Sequence, residues 1–580
     1  MRPVWASCVV ALAVAAVVLS VPELRQQARG GETAQVIYRA LSFGQPGRWR
    51  RDVLETFRAQ AAAFVESDCP EDPEMLMAAG LLTPDVGRAL PLLSRAAQLK
   101  QDPVLYAAYV RRLLERSPKY ARLGAAVVDP ADREEVGQAQ ASPSNVPDRL
   151  SAEAMAPILD ALRGWEKVDP ENGLPHALEA YYLYGLHRDQ EAQRAWARAG
   201  QLPHAWEYAW AMVLARGRLL NRMGMVKADA TLLTSTGQSH WWFETLRPMV
   251  RYAWYEGRVA QVAGRSEDAM RWWSNTISLG RRLQDSADTK GGFMYGSLLE
   301  HAGAAPTWQV GYDGEGRKLF YGPAHAFYAA QIAPEADAEL RDRLLVAWER
   351  VGLLQQTPGP GPYEPDSPIA RATGLQGMAG VALALAAWCL AIFALVSLVA
   401  RRAPEAGTRP GWAWPVLTGV MAAALALTGP AWALLHPEPI VLAAGRAQAR
   451  PPDLPPGVLL AEASFIAALL LVLGVPLLVS LRRQDGQQSL DAAAWGGNLR
   501  RALPAVIAVL ALAHLGLNLG AAKLRADWLR VWTKPGATNL SVQISRIGPQ
   551  WDRPESPKRG WVAAEPPQNA LARGSQWPWP

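Results

Sequence analysis

Four long stretches with almost no charge, all in the C-terminal part of the chain, constrain the fold more than any other feature. Residues 374–400, 411–435 and 502–522 contain no Asp, Glu, Lys or Arg, and 457–481 contain only Glu462. An α-helix rises 1.5 Å per residue, so about 20 apolar residues cross the hydrocarbon core of a bilayer. Each window meets that length, and four in succession predict an α-helical transmembrane bundle over 374–522. Pro415, Pro430, Pro476 and Pro504 fall inside the windows, where membrane helices tolerate proline better than soluble ones do. Trp412, Trp414 and Trp432 lie near the ends of their window, as interfacial anchors do.

A fifth uncharged run, residues 3–22, follows Arg2. It has the layout of a secretory segment, and 1–24 reads as a signal anchor or as a cleaved signal peptide with Val18 and Ser20 before the cut. Arginines in the short loops set the orientation. Arg401, Arg402 and Arg409 follow the first window of the bundle, and Arg482, Arg483, Arg500 and Arg501 follow the third. Positive loops stay inside, so residues 32–370 and the C-terminal tail are expected outside the cytoplasmic membrane. Lys523, Arg525, Arg530 and Lys534 pull the other way.

Arginine far outnumbers lysine, which fits a GC-rich bacterial genome, and three cysteines are too few for a disulfide framework. A net charge of +6 spread over 580 residues is thinner than a nucleic-acid-binding face requires, so no nucleic-acid partner is expected. Much of the excess sits in the tail 523–580, a basic, Trp- and Pro-rich segment whose composition predicts disorder against a membrane surface, with a short strand at Val542–Ile547.

Between the apolar ends the sequence predicts helix after helix: a helical subdomain over 32–128, a polar interval near 129–150, a second helical subdomain over 151–354 and a Pro/Gly linker over 355–370. In 250–279, Gly257, Gly264, Ala269 and Trp273 follow a small/small/small/aromatic spacing. Small residues let two antiparallel helices approach, and the aromatic fills the gap between them. In 169–200, Ala192, Trp196 and Ala199 match the second half of that pattern, with Ala180 where a glycine is usual. Both stretches resemble tetratricopeptide repeats, and 72–103 retains Ala89, Leu93 and Ala96 of the same pattern. That resemblance implies a helical-repeat scaffold presenting a groove to a protein partner, with no catalysis of its own. The Gly- and aromatic-rich interval 286–326 breaks the pattern and reads as an insertion loop, with a short hairpin in which Val310–Tyr312 and Leu319–Tyr321 flank Asp313-Gly314.

No catalytic, cofactor or metal site emerges from motifs. Gly311, Gly316, Arg317 and Lys318 imitate a phosphate loop in the wrong order. Gly237-x-Ser239-x-Trp241 lacks the second glycine of a nucleophile elbow. His176-x-x-Glu179 offers two metal-ligating side chains on one helix face, but the sequence shows no second cluster to complete a site. Aromatics crowd the second subdomain, among them Tyr181, Tyr182, Tyr184, Trp206, Trp210, Trp241, Trp242, Trp254, Trp272 and Trp273, expected mostly in repeat cores and in part on a binding face. Glu462, His514 and Asn518 stand out within the apolar windows. A carboxylate in lipid costs roughly 2.5–3.5 kcal/mol unless it finds a partner, so a polar contact between Glu462 and the His514/Asn518 pair is expected.

The expectation is therefore a mostly α bacterial inner-membrane protein with an extracytoplasmic scaffold domain. Lipid and an unidentified protein are its expected partners, and no cofactor is. Two alternatives stand beside it: a membrane enzyme or transporter with its site among the C-terminal spans, and an envelope glycan-binding protein.

Overall fold

The computed structural model describes residues 46–115, 117, 150–225, 227–235, 241–304, 309–312, 318–321, 334–357, 368–399, 413–435, 456–481, 492–534, 538–553 and 562–564. The apolar segment 1–24 and almost all of the polar interval 129–150 lie outside these residues. The chain is mostly helical. It divides into two compact units, one of Met1–Phe57, Leu220–Leu233 and Pro360–Lys534, the other of Arg58–Leu219, Thr234–Gly359 and Pro535–Pro580.

In the second unit, local chemistry starts the helices. Asp72 accepts from the backbone N–H groups of Glu74 and Met75 to open α1 (Pro73–Leu82), and Asp85 accepts from Gly87 N–H to open α2 (Val86–Leu99). Asp102 caps α3 (Pro103–Leu114), Ser151 caps α4 (Ala152–Val168) and Asn172 caps α5 (Gly173–Gly185). Each cap satisfies an N–H group that the helix itself leaves without an acceptor.

The repeat-like stretches form two helical hairpins with the same turn. The first joins α5 to α6 (Asp189–Gln201), and the second joins α7 (Phe243–Val262) to α8 (Ser266–Asp285). In one, Arg188 N–H donates to Leu183 C=O at 2.9 Å; in the other, Arg265 N–H donates to Ala260 C=O at 2.8 Å. This closure needs a left-handed residue just before the donor. Gly264 supplies it at φ 74° and His187 at φ 60°. The arginine after each turn pairs with the acid three residues on, Arg188 with Glu191 and Arg265 with Asp268. A third copy of the turn has Met225 N–H donating to Leu220 C=O at 2.9 Å, with Gly224 at φ 103°.

The small/aromatic spacing acts through sterics. A Cβ on Gly257 would collide with the indole of Trp273, so the helices close only because that position is bare. Trp273 is 1% exposed, and Ala269 is fully buried beside it. In the first hairpin Ala180, Ala192, Trp196 and Ala199 are equally buried.

The structure corrects the expectation for 286–326. Lys290–Ala304 is a helix, α9, packed tightly on α8. A Cβ on Gly303 would sit 2.8 Å from Ile277 N, and one on Gly296 would sit 2.8 Å from Gln284 N. The glycines that suggest a loop in one dimension are helix–helix contacts in three. Between these helices, Glu300 is fully buried, meeting Arg281 at 2.7 Å and Arg343 at 3.0 Å. The hairpin further on is present: β1 (Gln309–Tyr312) pairs antiparallel with β2 (Lys318–Tyr321), Gln309 opposite Tyr321 and Tyr312 opposite Lys318.

Two more corrections fall in the tail. Val562–Ala564 forms a strand parallel to β2, and Asn539–Ile547, where a strand was expected, is a helix, α10. Leu540, Ile544 and Ile547 recur at helical spacing, and Thr538 caps the first turn through Ser541 N–H. Leu540 buries against Phe293, Val351 and Leu354. Trp551 lies 5.2 Å from the Phe293 ring, with the Arg350 guanidinium 5.0 Å above its own ring. This part of the tail is packed on the second unit.

The first unit contains four apolar helices, α11 (Pro368–Val399), α12 (Ala413–Leu435), α13 (Pro456–Leu481) and α14 (Ala492–Trp532), around a shared core that includes Leu385, Ala422, Val472 and Val506. Gly497–Trp532 is long and apolar enough to cross a membrane, and is the one such helix among the described residues. The others carry shorter apolar stretches, Met378–Phe393, Pro415–Thr428 and Ser464–Leu478. Large apolar side chains also point outward, with Leu395 63%, Leu417 59% and Leu470 63% exposed.

Candidate functional site

The chain between α6 and the next helix, Ala209–Arg222, crosses the second unit without regular structure, and side chains hold it in place. Asn172 does most of this. Its Oδ1 accepts from Trp206 N–H at 3.1 Å, and its amide donates to Trp206 C=O at 3.0 Å and to Asp169 at 2.8 Å. Ser286 Oγ accepts from Ala205 N–H and Asp288 Oδ2 from Trp210 N–H, at 3.0 and 2.9 Å. Gly173 N–H donates to His204 C=O at 2.7 Å. Tyr208 adopts φ 55°, a strained conformation for an aromatic residue. Its hydroxyl donates to Asp169 at 2.7 Å. Burial, then that hydrogen bond, push its pKa up.

This strap presents one aromatic to solvent. Trp206 is 43% exposed and stacks on His204 at 4.3 Å between ring centroids. By contrast Trp210, Trp241, Trp242, Trp273, Tyr181, Tyr182 and Tyr184 are buried, which supports the core reading for most of the aromatic crowd. A large, stiff, half-exposed indole held by a fixed backbone is the kind of side chain that anchors a partner.

Beneath the strap lies a pair of acids. Glu207 is 2% exposed; it accepts from Thr289 Oγ1 at 2.8 Å and from Trp242 Nε1 at 2.5 Å. A Cβ on Gly292 would strike its carboxylate, so glycine makes the room. Asp288 Oδ1 is buried without a hydrogen-bond donor. Burial, and then the charge of Glu207, hold the Asp288 carboxyl well above the ordinary carboxylate range. This biases the Asp288 carboxyl toward its protonated form, a donor toward Glu207. The Glu207 side chain is shut away from solvent, so the pair braces the strap.

The repeat-pattern residues Gly257, Ala269, Trp273, Ala192, Trp196 and Ala199 are all buried in helix packing, with Gly264 exposed at its turn. The expected Glu462–His514 contact falls outside the described residues on its Glu462 side. His514 Nδ1 bonds the Ala379 carbonyl on α11 at 2.8 Å, and Asn518 bonds the His514 ring and carbonyl. The helix α14 packs chiefly along α11, and less along α13, which carries Glu462. The Glu462 side chain lies outside the described residues, as do Gly237 and Ser239. His176 and Glu179 gain a neighbour that linear spacing hides: Glu166, from α4, brings a carboxylate within 4.8 Å of both.

Sequence reasoning singles out Trp206 but misses His204, Glu207 and Asp288. The signal was a glutamate set among aromatics, His204-Ala-Trp-Glu-Tyr-Ala-Trp210, between two helices. Its acid partner lies far along the chain. Searches against protein-family models, characterised proteins and solved structures find no match to this chain.

Proposed function

We propose that this chain is a bacterial inner-membrane protein whose extracytoplasmic helical-hairpin domain, similar to tetratricopeptide repeats, is a scaffold for a protein partner. The observation that carries the reading is the pair of hairpins with one turn geometry and one ion-pair position, the second locked by Trp273 against Gly257. Stacked hairpins of this kind build extended surfaces rather than enclosed reaction sites. Trp206, exposed on a braced strap, is the anchor we assign. Among the described side chains of the second unit Trp206 is the one exposed indole, not the row of stacking rings a glycan groove needs.

The membrane part of the proposal rests on the four apolar helices and on the outward leucines, which lipid would cover. The tail supports a single side for the flanking parts. Residues 538–553 pack on α9 and on Pro334–Gln356, an arrangement that requires an even number of crossings between them.

The test is site-specific photo-crosslinking in native membranes, with a benzophenone amino acid replacing Trp206. The expected result is one or a few discrete protein adducts, absent when the probe replaces exposed Arg194. Adducts to lipid alone, or the same pattern from both positions, would contradict the scaffold reading.

A further inference from the structure

We propose that Glu166, His176 and Glu179 form a binding site for one divalent transition-metal ion. His176 and Glu179 lie three residues apart on one face of α5, and Glu166 reaches them from the antiparallel α4. Their ligand atoms all lie within 4.8 Å of one another.

Two features distinguish this cluster from an ordinary ion-pair network. First, His176 Nδ1 lies 3.1 Å from Glu166 Oε1, yet that buried oxygen takes no hydrogen bond. The imidazole is not directing a proton at the carboxylate. Two donor atoms about 3 Å apart, off the line of a hydrogen bond, have the spacing of adjacent ligands on an ion bound at roughly 2.0–2.2 Å. Second, the charges do not balance. Glu166 and Glu179 set two carboxylates beside one imidazole, with Arg163 as the neighbouring cation. Arg163 Nε stands 3.5 Å from Glu179 Oε1 on a side chain that is 51% exposed, so it can swing aside. A dication answers both carboxylates at once.

One imidazole and two carboxylates suit a first-row dication such as Zn²⁺ better than Mg²⁺ or Ca²⁺, which take oxygen ligands. Three protein ligands leave a coordination position for water or for a donor from a partner. The ligand side chains are 13–18% exposed, so the ion can enter and a further ligand can reach it.

The test uses the full chain in detergent, stripped with chelator and titrated with Co²⁺ as the spectroscopic probe. One equivalent should produce visible d–d absorption that Zn²⁺ abolishes. His176→Asn and Glu166→Gln should each weaken Co²⁺ binding at least ~100-fold, the upper end of what loss of an outer-shell partner costs. Arg163→Ala should tighten binding severalfold at unchanged melting temperature, because it removes a competing cation without touching a ligand. The Arg163 variant keeps the proposal testable if the ligand variants misfold. Absence of d–d bands in the unsubstituted protein, bands that survive His176→Asn, or an Arg163→Ala affinity equal to that of the unsubstituted protein would each overturn it.

Discussion

Trp273→Ala is expected to lower the unfolding free energy of the second unit by about 3–5 kcal/mol, the range for a large aromatic truncated in a close-packed core. The residue is 1% exposed, and its indole occupies the space that a Cβ on Gly257 would need. Gly257→Ala alone should also destabilise, since its methyl meets an indole that cannot retreat. In the Trp273→Ala background the same methyl enters the vacated space, and its cost should vanish or change sign. Residues in contact couple in this way, whereas distant ones add. Urea titrations of the four proteins, followed by far-UV circular dichroism, measure the cycle. Additive losses would mean that the two residues do not share one packing site.

The second large effect concerns pH. Because the Asp288 carboxyl is held well above its ordinary range, the folded chain keeps a proton that the unfolded chain releases near pH 4. The stability contributed by this group is therefore full below the unfolded pKa and is lost as pH rises toward the folded one. Over that window one proton changes stability by about 1.4 kcal/mol per pH unit. Asp288→Asn removes the titration, keeps an acceptor for Trp210 N–H and offers Glu207 an amide donor. Its stability curve should lack this slope and lie above that of the unsubstituted protein at neutral pH. Equal slopes for the two proteins between pH 5 and pH 8 would show that Asp288 is already ionised in the fold, and that the carboxyl pair is not what braces the strap.

What the sequence reveals here is local, and what it hides is pairwise. The spacing of Gly257, Gly264, Ala269 and Trp273 announces a helical hairpin because each residue's role is fixed within one turn and two helices. The β-hairpin over 309–321 is legible for the same reason, from two short strands flanking Asp313-Gly314. The helix Lys290–Ala304 is not, because its glycines are unfavourable in an isolated helix and are explained only by the backbone of α8 lying against them. Leu540, Ile544 and Ile547 carry a helical period that a β-branched run partly masks. His514 could be flagged as a polar residue in an apolar helix, but its acceptor, the Ala379 carbonyl, has no signature in sequence. Glu207 with Asp288, and Glu166 with His176, are brought together only by tertiary packing.

In the proposed topology the helical-hairpin domain and the tail that packs on it share the extracytoplasmic side of the membrane. Alkaline phosphatase, active only after export, measures this directly when fused at successive positions. The account predicts activity for fusions after residue 360 and after residue 540, and inactivity for fusions at 405 and 490, within the arginine-rich loops. The reverse pattern, active at 405 and 490 and silent at 360 and 540, would place the domain in the cytoplasm and contradict the cell-envelope reading.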